Sequence, residues 1–282
     1  MGRYKLVASD LDGTLLDSRG QVSPRAKRAI ERVVEQGVHV ALTTARRYVG
    51  TAPVADELGL AGPLILYDGA LVRHHPRGTI FLRMPLTSDV VRDVAMLMAE
   101  HDLRPIVQTL SRDRERLLVP PAPSHHDFDG AFLKGFSQQV QTIELERLHV
   151  AAEEPLRVVA FGPANLLAPV QRLLRRAPAG AQLLPLGSYG SAELTVFAPQ
   201  ASKGAALAAL ASSLGVSMSD VFAIGDSIND LSMLRAAGMS VAMKNGHPLA
   251  RKAARALTLS NDEDGFAIAL ERYVLDDTDS VE

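Results

Sequence analysis

The feature that most constrains the fold of this chain is an alternation of short apolar runs with helical segments. It covers the first 85 residues and returns near the end. Tyr4 to Ser9, Val38 to Leu42 and Pro63 to Tyr67 are near-continuous apolar runs of strand length. Between the first two, Ser23-Pro24 starts a helix, with Ser as N-cap and Pro at the first helical position. Ala26, Ile30, Val33 and Val34 then recur at helical spacing, and Gly37 closes the segment. A second helix is expected from Tyr48 to Leu58. Strands that are apolar throughout are buried on both faces, so the pattern predicts an α/β fold with a parallel sheet covered by helices on each side.

The alternation loosens between about Pro85 and Pro185. A helix is predicted at Ser88 to His101 and another at Asn165 to Arg176. Strands are expected near Pro105 to Gln108, Arg116 to Val119, Leu156 to Phe161 and Gln182 to Leu186. Strict alternation then resumes with a strand at Glu193 to Phe197, a helix at Gly204 to Leu214, a strand at Val221 to Ile224 and a helix at Asp230 to Ala237. A strand at Ser240 to Met243 and helices near Pro248 to Ala254 and Glu263 to Tyr273 complete it. At 282 residues the chain has the length of about two ordinary domains. The resumption makes the middle an insertion: a core of 1–85 and 190–282, interrupted by an α+β unit at 86–189 with an antiparallel sheet.

Composition narrows the chemistry. Thirty Lys and Arg against 32 Asp and Glu leave a net charge of −2, which gives no basic face for nucleic acid or anionic membrane. Without cysteine there is no disulfide, thiolate metal site or Cys nucleophile. No apolar run reaches the ~20 residues of a membrane span, and the first residues lack a secretory signal's apolar region, so a cytoplasmic protein is expected. Gly2 is not followed by the Ser or Thr at position 6 that myristoylation needs.

The chemistry-bearing residues follow strands. Asp10 and Asp12, in DLDGTL, lie just past the first strand, where ligands bind in open α/β sheets. Alone, an Asp-x-Asp pair serves equally to cap a turn. Asp226, Asn229 and Asp230, in GDSIND, follow a second strand and open a helix. Two acidic clusters leaving parallel strands at one edge can converge on a hard divalent cation, and oxygen-only ligands favour Mg²⁺ over zinc. Singly, Asp230 could cap its helix and Asn229 serve the turn. Thr44 ends a strand and can offer a hydroxyl and a backbone N–H. Lys203, one of six lysines in the chain, sits at a strand-to-helix boundary and can neutralise a phosphate or a nucleophile.

In this order the motifs resemble those of the haloacid dehalogenase superfamily, specifically its Cof-type hydrolases. DLDGTLL matches the first motif, LTTAR the second, SKGAAL the third and GDSIND the fourth; VAMKNGHPLARKAA adds to the match. The resemblance implies a Rossmann-like, doubly wound core and a large cap (the C2 position) inserted between the second and third motifs. It further implies hydrolysis of a small phosphorylated metabolite, sugar phosphates first, through an aspartyl phosphate. Asp10 would be the nucleophile and Asp12 the general acid and base. Mg²⁺ would be held by Asp10, the backbone carbonyl of Asp12 and Asp226. Thr44, Lys203 and Asn229 would hold phosphate, with Asp230 as support behind the site. A phosphomutase, or a phosphate-binding protein that has lost turnover, is the competing expectation.

Two positions depart from the family pattern. Thr44-Ala45-Arg46 replaces the usual Thr-Gly-Arg, and Asp68-Gly69 the usual Asn-Gly, so Asp68 brings an acid near the phosphate pocket unless it is only a turn residue. Elsewhere, His125, His126, Asp127 and Asp129 read as a surface loop, with a substrate-facing loop or a metal site as sharper alternatives. Gly187 to Ser191 lacks the Lys-Ser/Thr of a phosphate loop and suggests a hinge. Met96, Leu97 and Met98 read as helix core. Arg112, Arg114 and Arg116 read as decorating a strand face, with a grip on a second anionic group as the sharper alternative. DDTDSVE reads as a solvated acidic tail.

Overall fold

The computed structural model describes residues 4–121, 129–186 and 191–276. The chain divides into two compact units, residues 1–82 with 202–282, and residues 83–201. From the N-terminus, the first unit contains β1 (Leu6–Ser9), α1 (Pro24–Glu35), β2 (His39–Thr43), α2 (Tyr48–Glu57), β3 (Gly62–Leu66), β4 (Leu71–His75) and β5 (Ile80–Arg83), which runs into the boundary. The second carries α3 (Ser88–Glu100), β6 (Ile106–Ser111), β7 (Arg114–Val119), α4 (Gly130–Gly135), β8 (Val140–Thr142) and α5 (Leu148–Ala151). It ends with β9 (Glu154–Pro163), α6 (Ala164–Leu174), β10 (Gly180–Leu186) and β11 (Ser191–Phe197). The first unit resumes with α7 (Lys203–Ser213), β12 (Val221–Gly225), α8 (Leu231–Ala236), β13 (Met239–Ala242), α9 (Pro248–Ala253), β14 (Ala256–Leu257) and α10 (Gly265–Tyr273).

The first unit is built on an eight-stranded sheet in the order β14-β13-β12-β1-β2-β3-β4-β5. The strands from β14 to β3 are parallel, and β4 adds to β3 antiparallel. From β1 the chain winds outward in one direction through β2 and β3, and later returns to build β12, β13 and β14 on the other side. β1 is therefore the switch point of the sheet, and the crevice beyond its carboxyl end is where such folds bind ligands. Every residue of β1 and β12 is buried, as the continuous apolar runs predicted. Val221 and Ala223 pack with Leu207 and Leu210 of α7 and Met233 and Leu234 of α8. Phe222 faces the other way, its ring stacked 6.5 Å from that of Tyr273 on α10. Each of the larger buried side chains is worth about 2 kcal/mol.

Local signals explain the helix on that second face. The Ser23 side chain accepts the Ala26 N–H at 3.1 Å, and Ala26, Ala29, Ile30 and Val33 form the buried stripe of α1. Gly37 ends it in the left-handed region at φ 78°. Arg25 then ties α1 to α10 through a two-pronged pair with Glu271, at 3.0 and 2.6 Å.

The second unit holds a six-stranded sheet, β10-β11-β9-β6-β7-β8, antiparallel except where β8 joins β7. One correction follows. The strand expected to reopen the core at Glu193 to Phe197 belongs to this sheet as β11, with Val196 opposite Val158 and Leu194 opposite Leu183. The chain returns to the first unit at 202, not 190. Alternation of strand and helix cannot say which sheet an apolar run joins; antiparallel neighbours on both sides decide it. β4, β5 and β8 were not anticipated, because LVRHH and IFLR mix charge into their runs and VQT is only three residues long.

His125, His126, Asp127, Gly187 to Gly190 and all of the acidic tail after Asp276 lie outside the described residues, as does Gly2. Asp129 is described, and is buried against Arg104 at 3.2 Å. Met98 is buried as expected of helix core, whereas Met96 is exposed. Among the described residues no helix is long and apolar enough to cross a membrane.

Candidate active site

Because β1 and β12 are adjacent and parallel, with Ser9 opposite Ile224, the residues that follow them emerge side by side. Asp10 donates its N–H to the Ile224 carbonyl at 3.0 Å, and Asp226 follows two residues later. Lys203 comes from a third direction as the first residue of α7, whose N-cap Ser202 accepts the Ala205 N–H. The Lys203 ammonium is wholly buried and donates to Asp10 Oδ1 at 2.5 Å and to Asp230 Oδ1 at 2.6 Å. Asp230 turns its other oxygen to the N–H groups of Asp226 and Ser227, at 2.9 and 2.8 Å. One carboxylate thus closes the GDSIND turn and anchors the lysine.

Carboxylate oxygens of Asp10, Asp226 and Asp230 lie within 4.8 Å of one another, so they could together hold a metal ion. Burial, reinforced by neighbouring carboxylates, works against the ionisation of Asp10 and Asp226. It raises the Asp10 carboxyl well above its ordinary range, against the pull of Lys203, and lifts Asp226 to about 6. Burial by itself would lower the Lys203 pKa, but the facing carboxylates of Asp10, Asp230 and Asp68 raise it overall. The three clustered acids outnumber the one buried amine, and all their donors are oxygen. That imbalance is what a hard cation relieves.

Other residues named from the sequence take more particular positions. The Thr44 N–H is used by the Ile65 carbonyl at 2.8 Å, and its hydroxyl oxygen accepts the Arg46 N–H at 3.0 Å, which leaves only the hydroxyl proton to give. The Asp12 carboxylate is not in the acidic cluster. It is half-exposed and gripped by Arg46, whose Nε donates to Oδ2 at 2.8 Å and whose Nη2 donates to Oδ1. Asn229 gives its amide Nδ2 to Asp68 Oδ1 at 2.8 Å, and its Oδ1 is a buried acceptor with no hydrogen-bond donor among the described residues. A carboxylate only accepts, so Asp68 dictates which end of the Asn229 amide is turned away from it.

Asp68 itself is buried and held in the left-handed region with Tyr67, at φ 55° and 51°. Such a backbone costs about 1 kcal/mol or more per residue. Gly69 follows at φ 99°, where a Cβ would lie 2.2 Å from the Ser202 carbonyl oxygen, so only glycine lets this turn press against the start of α7. A Cβ on Gly13 would meet Asp226 Oδ2 at 2.7 Å.

Three participants escaped the sequence reading as individuals. Thr14 donates its hydroxyl to Asp226 Oδ1 at 2.9 Å, the Asn245 amide donates to the Gly13 carbonyl at 2.8 Å, and the His247 N–H donates to the Asp226 carbonyl at 2.7 Å. Thr14 lies inside DLDGTLL, and Asn245 and His247 inside VAMKNGHP. Their motifs were noticed, but not what each side chain would touch.

The chain matches a family model of haloacid dehalogenase-like hydrolases over residues 7–270. The chain belongs to that family. This haloacid dehalogenase-like hydrolase is 30% identical to the phosphatase YwpJ of Bacillus subtilis over 284 residues, covering 93% of this chain and 97% of the relative. It is 31% identical to an HMP-PP phosphatase of Serratia proteamaculans, over 87% of this chain and 85% of that one. Its fold is similar to the crystal structure of a haloacid dehalogenase-like hydrolase from Bacteroides thetaiotaomicron. There the TM-score is 0.77 at 28% identity, and 95% and 99% of the two chains are covered.

Proposed function

We propose that this hydrolase cleaves a small phosphomonoester, sugar phosphates being the first class to test, through a phosphoryl group carried on Asp10. The observation that carries the reading is the Asp10 carboxylate, buried at the switch point of the sheet with Lys203 2.5 Å from one oxygen and Asp226 beside it. A carboxylate cannot approach a phosphate dianion unless cationic groups offset the repulsion. The phosphatase relatives support the same reaction class.

In the proposed reaction, an oxygen of Asp10 forms a bond to phosphorus as the bond from phosphorus to the ester oxygen breaks in line with it. Asp12 gives a proton to the departing oxygen. It then takes one from a water whose oxygen attacks the phosphoaspartate, and the bond from phosphorus to Asp10 breaks, freeing inorganic phosphate. Arg46 anchors the Asp12 carboxylate between these transfers, and Lys203 holds Asp10 in place with Asp230 behind it. Thr44 donates its hydroxyl proton to a phosphoryl oxygen. Asp10, Asp226 and the Asp12 backbone carbonyl would hold Mg²⁺, which supplies positive charge against the phosphoryl oxygens. Asn229, with its N–H groups turned to Asp68, offers an acceptor oxygen more readily than a phosphate-binding donor. Residues 83–201, inserted between the second and third motifs, set which ester is accepted.

The test is release of phosphate from phenyl phosphate with Mg²⁺, its loss on chelation, and its loss in Asp10→Asn. A wild-type protein inert towards a broad panel of phosphate esters would overturn the reading. The same panel identifies the substrate class.

A further inference from the structure

The second unit carries a charged cleft that the proposed reaction does not use. β6 and β7 are joined by Arg112 and Asp113 alone, both in the left-handed region at φ 48° and 62°, the mirror-image hairpin turn that Asn-Gly usually fills. In the hairpin, Arg114 lies opposite Ser111 and Arg116 opposite Thr109. Side chains two apart on a strand share a face, so Arg114 and Arg116 project together, and Arg112 joins them at the turn. With Ser111 and Glu153 they line a cleft of about 490 Å³.

Surface arginines commonly find a carboxylate, and acids are abundant around this hairpin. They are committed elsewhere. Asp113 pairs with Arg83 at 2.5 Å, and Glu154 pairs with the same guanidinium at 3.1 Å. Glu115 points to the opposite face of the sheet and is buried. Glu153 accepts the Ser111 hydroxyl at 2.8 Å and is the one acid among the described residues that lines the cleft. Arg112, Arg114 and Arg116 make no ion pair among the described residues, which leaves the cleft with a net charge of two positives. Three like charges held on one hairpin repel one another unless an anion is shared between them.

We propose that Arg112, Arg114 and Arg116 form an anion-binding site for a small molecule carrying at least two phosphate or carboxylate groups. Guanidinium forks match both groups in two-pronged geometry. Three forks on a two-stranded ribbon span more than one such group, which selects polyanions over simple monoanions. Glu153 limits the affinity and leaves the site sensitive to salt. The anion is a free ligand in solution, and the second unit alone supplies its site.

The test is calorimetric titration of methylenediphosphonate into the full chain with chelator present. Without divalent cation the buried carboxylates of the catalytic site repel the probe, so the arginine cleft is read by itself. One site per chain is expected, weakening as salt is raised. The triple variant Arg112→Gln, Arg114→Gln, Arg116→Gln should bind about tenfold more weakly or worse, the loss of at least one charge-assisted hydrogen bond. Glu153→Gln should bind severalfold more tightly, a gain that no folding defect can imitate. Absence of binding to the wild type, or equal binding by the triple variant, overturns the proposal.

Discussion

Beyond its strand ends the eight-stranded sheet gathers buried charges, whereas one hairpin of the six-stranded sheet displays charges at the surface. Lys203 is sealed between Asp10 and Asp230 at 2.5 and 2.6 Å, while Arg112 and Arg114 stand in solvent with no carboxylate partner among the described residues. A buried charge is tolerable only through its neighbours, so each member of the Lys203 cluster depends on the rest. A solvated arginine depends on nothing nearby and is available to a ligand. The first arrangement suits chemistry on a fixed atom, the second suits reversible capture.

Substitutions should break this contrast in a definite order. The largest effect falls on Asp10→Asn, which keeps the shape of the side chain and removes the nucleophile. Turnover of phenyl phosphate should fall about 10⁴-fold or more, with unchanged circular dichroism. Residual activity within tenfold of wild type would mean that the phosphoryl group is not carried there.

Next comes Lys203→Met, which leaves two buried carboxylates uncompensated. Urea unfolding should report a loss of about 3–5 kcal/mol, typical of breaking one side of a buried pair, together with loss of activity. A loss below 1 kcal/mol would show that the acids relax into water when the amine is gone.

The acid cluster also predicts a pH dependence. Asp226 sits at about 6, above the ordinary carboxylate value, so without a cation the folded state holds a proton that the unfolded state has released. This group's contribution to stability is therefore fully present at low pH and lost as pH rises through about 6. A cation needs the ionised form, so the rise in Tm produced by Mg²⁺ should be clear at pH 7.5 and shrink towards pH 5. Equal gains at both values would separate Asp226 from the cation site.

Smaller effects compare the helix starts of the two units. Ser23 caps α1 at 3.1 Å and also donates to Asp264 at 2.5 Å, whereas Thr87 caps α3 at a longer 3.4 Å. Ser23→Ala should cost about 1 kcal/mol and Thr87→Ala less, measured by chemical unfolding. At the bottom of the scale, the triple arginine-to-glutamine variant of the β6–β7 hairpin should alter stability by no more than ~0.5 kcal/mol. A larger loss would mean that these arginines support the sheet.

The same contrast separates what could be read in advance from what could not. β1, β2, β3 and β12 were legible because a strand buried on both faces is an uninterrupted apolar run, and α1 because Ser23, Pro24 and Gly37 mark its ends. β11 was legible as a strand but was assigned to the wrong sheet, since Leu194 and Val196 read the same beside either set of neighbours. In the site, Asp10, Asp226 and Lys203 were legible because each follows a strand or opens a helix at a motif. The partner of each was not. That Asp230 would hold Lys203 and the turn at once, that Arg46 would take the Asp12 carboxylate, and that Asp68 would orient Asn229 depend on approaches between segments far apart in the chain.

The sequence by itself therefore determined the kind of sheet, the strand ends at which chemistry is placed and the types of group brought there. Those properties follow from local spacing, in which periodicity and capping act over a few residues. Tertiary structure decided which acid faces which base, which arginines face no acid among the described residues and where the chain passes from one sheet to the other. Hydrogen bonds between distant segments and burial set those outcomes, and both depend on the whole chain having folded.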